Sequence, residues 1–346
     1  MKVTDTSPLR RHLDKRDRLP LGHFPTPMEH TQRLATSADA PGIFVKRDDA
    51  SGLGGGGNKV RALEYLMPAV LASGADTIVT AGVVQSNSVR QVAAAAAKMG
   101  LACHFGMITD RVPSVDGDYA ETGNIFLDKL YGATYEPMSI RDDKARFVQA
   151  MADRLSREGR RPYVVPYGCA NVLGATGYLR CALEIAEQAE AAGVSLTHVV
   201  HASGTGGTQA GLIVGFALLG LDIEVIGIDI DADPLGVRAR VAGLLDQLCV
   251  EIGLDGDALR ERIRIDDRYS AGHYGLTDQR TVDAIRLAAR REALLLDPVY
   301  SGKAFAAVLD LVAQGRFCPT DNVLFLHTGG TPAIYAYRSH FGNARG

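Results

Sequence analysis

No apolar run in the sequence reaches the length of a membrane span; even LIVGFALLGLDIEVIGIDI is interrupted by glycines and acids. The first residues, MKVTDTSPLRRHLDKRDRLPLG, lack the apolar core of a secretory signal. A surplus of one charge is lacking too. The formal net charge is −3 and no basic stripe appears, which argues against nucleic acid as a partner. Five cysteines (Cys103, Cys169, Cys181, Cys249, Cys318) show no CxxC spacing. Their odd number fits free thiols in a reducing compartment better than a disulfide framework. The expectation is a soluble cytoplasmic protein with no membrane or nucleic-acid partner. No repeat array, low-complexity tract or linker marks a domain boundary.

What is present is an ordinary globular balance, 46% hydrophobic and 22% charged residues, in a chain long enough for two lobes. The stretch that organises it is GLGGGGNKVRALEYL, Gly52 to Leu66. Four consecutive glycines, which let backbone approach a ligand closely, run into Asn58-Lys59 and then a helical pattern. Read alone, this is equally a flexible turn with a solvated lysine. Two strand–loop–helix units stand downstream, TIVTAGVVQSNSVRQVAAAAAKMG and HVVHASGTGGTQAGLIVGFALLG. Each sets a small-residue, hydroxyl-rich loop at a helix N-terminus, where free N–H groups and the helix dipole favour anions. One lysine with two anion cradles suits a phosphate-bearing cofactor and a carboxylate-bearing substrate. Pyridoxal phosphate with an amino acid meets that description.

Short buried strands near residues 42–46, 76–80, 101–105, 163–166, 198–201, 224–230 and 323–327 alternate with helical patterns. Such alternation predicts an α/β fold with a mainly parallel sheet. Residues 1–22 read as a loosely docked arm, and residues 232–270 as helical and charged, without a motif.

The weaker readings stay beside the sharper ones. Ser203 to Gly211 fails the dinucleotide fingerprint, because the sixth position counted from Gly204 is Gln209, and it lacks a Walker lysine. A phosphate nest or a structural glycine turn remains. Gln85-Ser86-Asn87-Ser88 can cap its helix, and capping is compatible with holding a carboxylate. Tyr274 and Tyr300 are ordinary amphipathic core residues when read singly. His201 and His327 lack metal-ligand spacing and read as structural, as does Cys169.

Taken together, these residues resemble the D-cysteine desulfhydrase and 1-aminocyclopropane-1-carboxylate deaminase family of fold type II pyridoxal phosphate enzymes. The likeness runs from Pro25-Thr26-Pro27 and Val45-Lys46-Arg47-Asp48-Asp49 to Leu326-His327-Thr328-Gly329-Gly330. It implies a tryptophan synthase beta-like fold with two open, twisted, mainly parallel sheets. Residues 1–59 and 175–346 would form the large cofactor domain and residues 60–174 a small αβα domain. Lys59 matches the lysine that carries the cofactor, and Ser86 and Asn87 the substrate and cofactor loop. Gly204, Thr205, Gly206, Gly207 and Thr208 match the phosphate loop, and Tyr274 and Tyr300 the two active-site tyrosines. A homodimer is implied as well.

Three departures bear on specificity. Ala62 stands where the family has a second lysine near the phosphate, Ser88 where it has His or Gln, and Cys169 where it has Gly. Ser88 and Cys169 border the substrate in this reading. Ser301 follows Tyr300 where the deaminases carry glutamate, and Thr328 precedes Gly329-Gly330. Two neutral hydroxyls facing the pyridine nitrogen would make a weaker electron sink, adequate for β-elimination of a good leaving group. The resemblance therefore implies β-elimination from D-cysteine, giving pyruvate, ammonia and hydrogen sulfide. An L-cysteate sulfo-lyase, a cyclopropane-carboxylate deaminase and a non-catalytic binder are the alternatives.

Overall fold

The computed structural model describes residues 5–34, 40–112 and 116–342. Helix α1 (Ser7–Asp14) starts at a proline-containing first turn and buries Leu9 and Leu13, one turn apart, against the body of the protein. Residues 1–4 lie outside the described residues, but for the rest the loosely docked arm is corrected. Arg10 pairs with Glu187, and Arg16 with Glu251. Only two apolar side chains make the stripe, too few to stand out among the arginines.

Strands β1 (Met28–His30) and β2 (Gly42–Lys46) pair antiparallel. Helix α2 (Lys59–Ala72) follows the glycine run. Next come β3 (Thr77–Val83), α3 (Asn87–Lys98), β4 (Ala102–Ile108), α4 (Asn124–Leu130), β5 (Thr134–Met138), α5 (Lys144–Arg157) and β6 (Pro162–Val164). The four strands from β3 onward form a parallel sheet in the order β5-β4-β3-β6. Strand β3 is buried along its whole length, as a strand covered on both faces must be.

The remaining elements are α6 (Val172–Ala191), β7 (His198–Ser203), α7 (Gly207–Leu218), β8 (Glu224–Asp229), α8 (Pro234–Ile252), α9 (Gly256–Arg260), β9 (Arg264–Asp266), α10 (Gln279–Glu292), α11 (Ser301–Ala313) and β10 (Asn322–Leu326). They complete a second sheet in the order β1-β2-β10-β7-β8-β9, parallel except at β1. The motif-free stretch 232–270 thus supplies α8, α9 and the edge strand β9.

Helices cover both faces of this sheet. Leu179 and Ala182 of α6 and Ile213 and Val214 of α7 pack on one side. Ile285 of α10 and Phe305 and Val308 of α11 pack on the other. Glycine sets the spacing on the first side, since a Cβ at Gly211 would come 2.5 Å from the Ala175 carbonyl oxygen. Leu326 is in register with both Lys46 and His201, so β2 and β10 end at one level and β7 runs two residues beyond it. The turns beyond those carboxyl ends are where open parallel sheets bind ligands.

Candidate active site

A cavity lies where the carboxyl-end turns of the two sheets meet. Lys59 opens into it from the first residue of α2. Its surroundings are otherwise protein, and burial pushes its amine down from the usual lysine value. The partial exposure of Lys59 is thus exposure to the cavity.

Two features fix this residue. The Gly57 amide donates to the Asp48 carbonyl (2.9 Å), and a Cβ at Gly329 would come 2.6 Å from Gly57 Cα. Two residues beyond Lys59, buried Arg61 forms a fork on Asp48, with Nε to Oδ2 at 2.7 Å and Nη2 to Oδ1 at 2.8 Å. Arg61 also reaches Glu184 Oε2 on α6 (2.8 Å), and Tyr178 donates to Asp48 (2.7 Å). Asp48 holds Arg61 charged despite burial, and Arg61 holds the Asp48 carboxyl below its usual range. The first turn of α2 is therefore bolted to the large sheet and to α6.

The first anion cradle is the N-terminus of α3. Ser86 Oγ caps it by accepting from the Val89 amide (3.2 Å), which leaves the hydroxyl proton for a ligand. Ser86, Asn87 and Ser88 all line the cavity. The Asn87 side chain itself is engaged in structure: it donates to Asn58 Oδ1 (3.2 Å) and to the Thr328 carbonyl (3.3 Å), and accepts from Gln91. Ser88 Oγ lies 3.7 Å from the buried Cys169 thiol.

The second cradle is the loop before α7, from which Gly204, Thr205, Gly206 and Thr208 line the cavity. Gly206 adopts φ 88°, and a Cβ there would meet the Val241 amide nitrogen at 2.8 Å. Thr208 Oγ1 accepts from Asn58 Nδ2 (3.1 Å), tying this loop to the residue before Lys59. Gly207 begins the helix and does not line the cavity.

Tyr274 and Tyr300 line the cavity with their hydroxyls hydrogen-bonded to each other and their rings edge to face, centroids 5.9 Å apart. Burial pushes both phenols up, so both keep their protons at neutral pH. The pair of hydroxyls read from Ser301 and Thr328 is divided. Thr328 lines the cavity; Ser301 does not. Ser301 is buried with its hydroxyl donated to Asp297 Oδ1 (2.6 Å), and its amide meets the same oxygen (2.9 Å). The start of α11 needs its free N–H groups satisfied, and Asp297 does so with Ser301 as its partner.

Sequence reasoning passed over Asn58, Tyr167, Ile230 and Asp231 on the wall. Tyr167 and Asp231 each stand two or three residues beyond a strand, after β6 and β8. Position past a buried strand was the available signal. His327 is structural as read, with Nε2 on the Leu295 carbonyl (3.1 Å) and Nδ1 accepting from Gly329 (3.2 Å). His201 differs: Nδ1 meets the Ala202 carbonyl (2.9 Å), while buried Nε2 has no partner among the described residues.

Residues 19–329 match the family described as pyridoxal-phosphate dependent enzyme. The chain belongs to that family. It is 41% identical over 331 residues to a D-cysteine desulfhydrase of Salmonella paratyphi A, covering 95% of this chain and 98% of that one. A D-cysteine desulfhydrase of Serratia proteamaculans is 42% identical over 329 residues, with the same coverage. Among solved structures, an ACC deaminase homologue superposes with a TM-score of 0.85 at 34% identity, covering 96% of this chain and 97% of that one. A fungal L-serine ammonia-lyase from Rhizomucor miehei shares the fold, with a TM-score of 0.64 at 17% identity, covering 93% and 98%. The enzyme is thus an α/β, fold type II member with two mainly parallel sheets.

The cavity fits the cofactor on its own chemistry. A lysine amine biased toward its neutral form faces a helix N-terminus whose glycine loop leaves room for phosphate oxygens. Ala62 adds nothing to that cradle; it is buried 3.3 Å from where a Cβ on Gly174 would lie.

Proposed function

We propose that the enzyme is a D-cysteine desulfhydrase, converting D-cysteine by β-elimination to pyruvate, ammonia and hydrogen sulfide. The observation that carries this reading is the convergence of Lys59, the α3 N-terminus and the Tyr274–Tyr300 pair on one cavity. The names of the relatives point the same way. Pyridoxal phosphate, when bound, supplies the sink for the electron pair left at the substrate's α-carbon.

The chain's own residues do the rest. Lys59 would carry the cofactor, and its amine is placed to take the α-proton; a depressed pKa suits it to that task at neutral pH. Ser86 and the Asn87 amide hold the substrate carboxylate at a helix N-terminus. Tyr300, kept protonated, assists proton transfer at the departing sulfur, and Tyr274 orients it through the shared hydrogen bond. Thr205, Thr208 and the amides of Gly204 and Gly206 would hold the phosphate. Thr328, on the cavity wall, would offer the ring nitrogen a neutral hydroxyl and so keep the sink moderate.

The same reading takes residues 60–174 as a small domain apart from 1–59 and 175–346, supported by the confinement of one whole sheet to residues 77–164. It includes a homodimer in the cytoplasm. Light scattering on the purified protein tests the dimer, and fractionation of cells expressing it tests the compartment. The described residues contain no helix long and apolar enough to cross a membrane.

A panel of D-cysteine, L-cysteine, L-cysteate, 3-chloro-D-alanine and 1-aminocyclopropane-1-carboxylate, scored for pyruvate or 2-oxobutyrate, tests the activity. D-cysteine is expected to give pyruvate with the highest kcat/KM among the sulfur substrates. Turnover of the cyclopropane acid to 2-oxobutyrate in preference to all others would overturn the assignment.

A further inference from the structure

Tyr274 and Tyr300 share a hydrogen bond but not an element. Tyr300 stands at the head of α11, whereas Tyr274 belongs to the irregular segment between β9 and α10. Neither a ladder nor a helix fixes that segment. Ala271, Gly272 and Gly275 take left-handed backbone, at φ 58°, 78° and 77°, and for alanine that conformation is unfavourable. Side-chain donors hold the path instead. The Tyr337 hydroxyl donates to the Gly275 carbonyl (2.6 Å). Lys303 Nζ donates to the Ser270 carbonyl (2.7 Å) and to the carbonyl of His273 (3.3 Å), the residue before Tyr274.

Lys303 is sealed from solvent and forms no ion pair among the described residues. Burial pushes its amine down to about 8, with Asp297, Asp231, Asp278 and Asp229 opposing the shift. The amine is therefore still mainly charged at neutral pH, and its bonds to the two carbonyls are charge-assisted. Taking an ammonium group out of water is costly, and an apolar side chain of similar length would fill the space without that cost. The position of Lys303 in the chain supplies a reason for it. As the third residue of α11 it is tied closely to Tyr300, while its amine grips the residue before Tyr274. One side chain thus couples the two pieces of backbone that carry the tyrosines.

We propose that Lys303 is a positioning residue for the elimination: from the head of α11 it clamps residues 270–274 and so sets the Tyr274–Tyr300 hydrogen bond at the departing group. The proposal rests on the β-elimination reading. There the sulfur leaves with the electron pair of the broken carbon–sulfur bond and takes a proton from Tyr300. Chloride leaves with its own pair and needs no proton, so the clamp matters for sulfur far more than for chloride.

The test compares D-cysteine with 3-chloro-D-alanine on the holoenzyme. Lys303→Met is expected to lower kcat for D-cysteine by about tenfold or more with little change in KM. For 3-chloro-D-alanine kcat should fall by a much smaller factor. Lys303→Gln keeps N–H donors without the charge, so its values should lie between, and it carries the test if the Met variant does not fold. A lysine that only supports the fold would, when replaced, depress both substrates alike. A second readout needs no turnover. Amide hydrogen exchange across residues 270–275 should quicken in the variants while the amides of α3 and α7 keep their native protection.

A chloride-to-sulfur kcat ratio equal to the native one in both variants overturns the proposal and leaves the β-elimination reading standing. Absence of pyruvate from either substrate with the native holoenzyme, together with faster exchange confined to 270–275 in the variants, overturns that reading and leaves the clamp in place.

Discussion

At the scale of single residues, burial and hydrogen bonding decide which hydroxyls remain available for chemistry. Ser301 and Thr328 look equivalent in the sequence, each beside a motif residue, but Ser301 is committed to Asp297 while Thr328 faces the cavity. Burial already pushes the Asp297 carboxyl up, with Ser301 and nearby amides working against the shift. Ser301→Glu is therefore expected to set a second carboxylate against a buried one and lower the urea midpoint. Thr328→Leu should instead leave the midpoint nearly unaltered, shift the visible spectrum of the cofactor and slow elimination by roughly tenfold, the scale of one lost hydrogen bond. Equal spectral effects from the two variants would show that Ser301, too, reaches the ring. The sequence could not separate these residues, because it shows neighbours along the chain and not the Asp297 carboxylate that claims one hydroxyl.

Elements owe their placement to contacts that local pattern only partly reveals. The cavity positions of Lys59 and both cradles were legible because glycine runs, helix starts and strand ends leave local marks, whereas Tyr274 and Tyr300 came only from the family resemblance. Asn58 was not, since its role is to bridge Thr208 and Asn87, residues distant in the chain. The docking of α1 was hidden for a related reason: Leu9 and Leu13 mean little until α6 and α7 are there to receive them. The same holds for α2, whose position depends on the buried Arg61–Asp48–Glu184 cluster. Arg61→Ala leaves Asp48 buried without its ion-pair partner, with Lys46 still on Glu184, and is expected to cost about 3–5 kcal/mol of stability. Chemical denaturation measures it. A loss under about 1 kcal/mol, the scale of a surface pair, would mean that the cluster does not anchor the helix.

For the molecule as a whole, alternation of strand and helix was enough to give the parallel α/β class, but not the edge strand β9 or the distribution of strands between two sheets. One consequence at this scale is a dependence of stability on pH. His201 sits inside the large sheet, where burial pushes its imidazole down to about 4 from an ordinary value of 6.5. A group with a depressed native pKa favours the native state above its unfolded pKa, and that contribution is lost as pH falls from about 6.5 toward 4. The unfolded chain takes the proton first. His201 alone accounts for roughly 3 kcal/mol of such loss at most. In His201→Val the decline in stability over this interval should be shallower by up to that amount. Parallel pH–stability curves for the two proteins would exclude His201 as a contributor.

The account turns on Lys59 as the residue that carries the cofactor. The most direct measurement is the visible absorbance of the purified holoprotein and of Lys59→Ala, each before and after borohydride, with pyruvate formation from D-cysteine assayed in parallel. The native protein is predicted to show a visible band that borohydride bleaches and to form pyruvate. Lys59→Ala is predicted to show neither the reducible lysine-bound band nor turnover. A Lys59→Ala protein that retains a borohydride-reducible band and still releases pyruvate from D-cysteine would contradict the account.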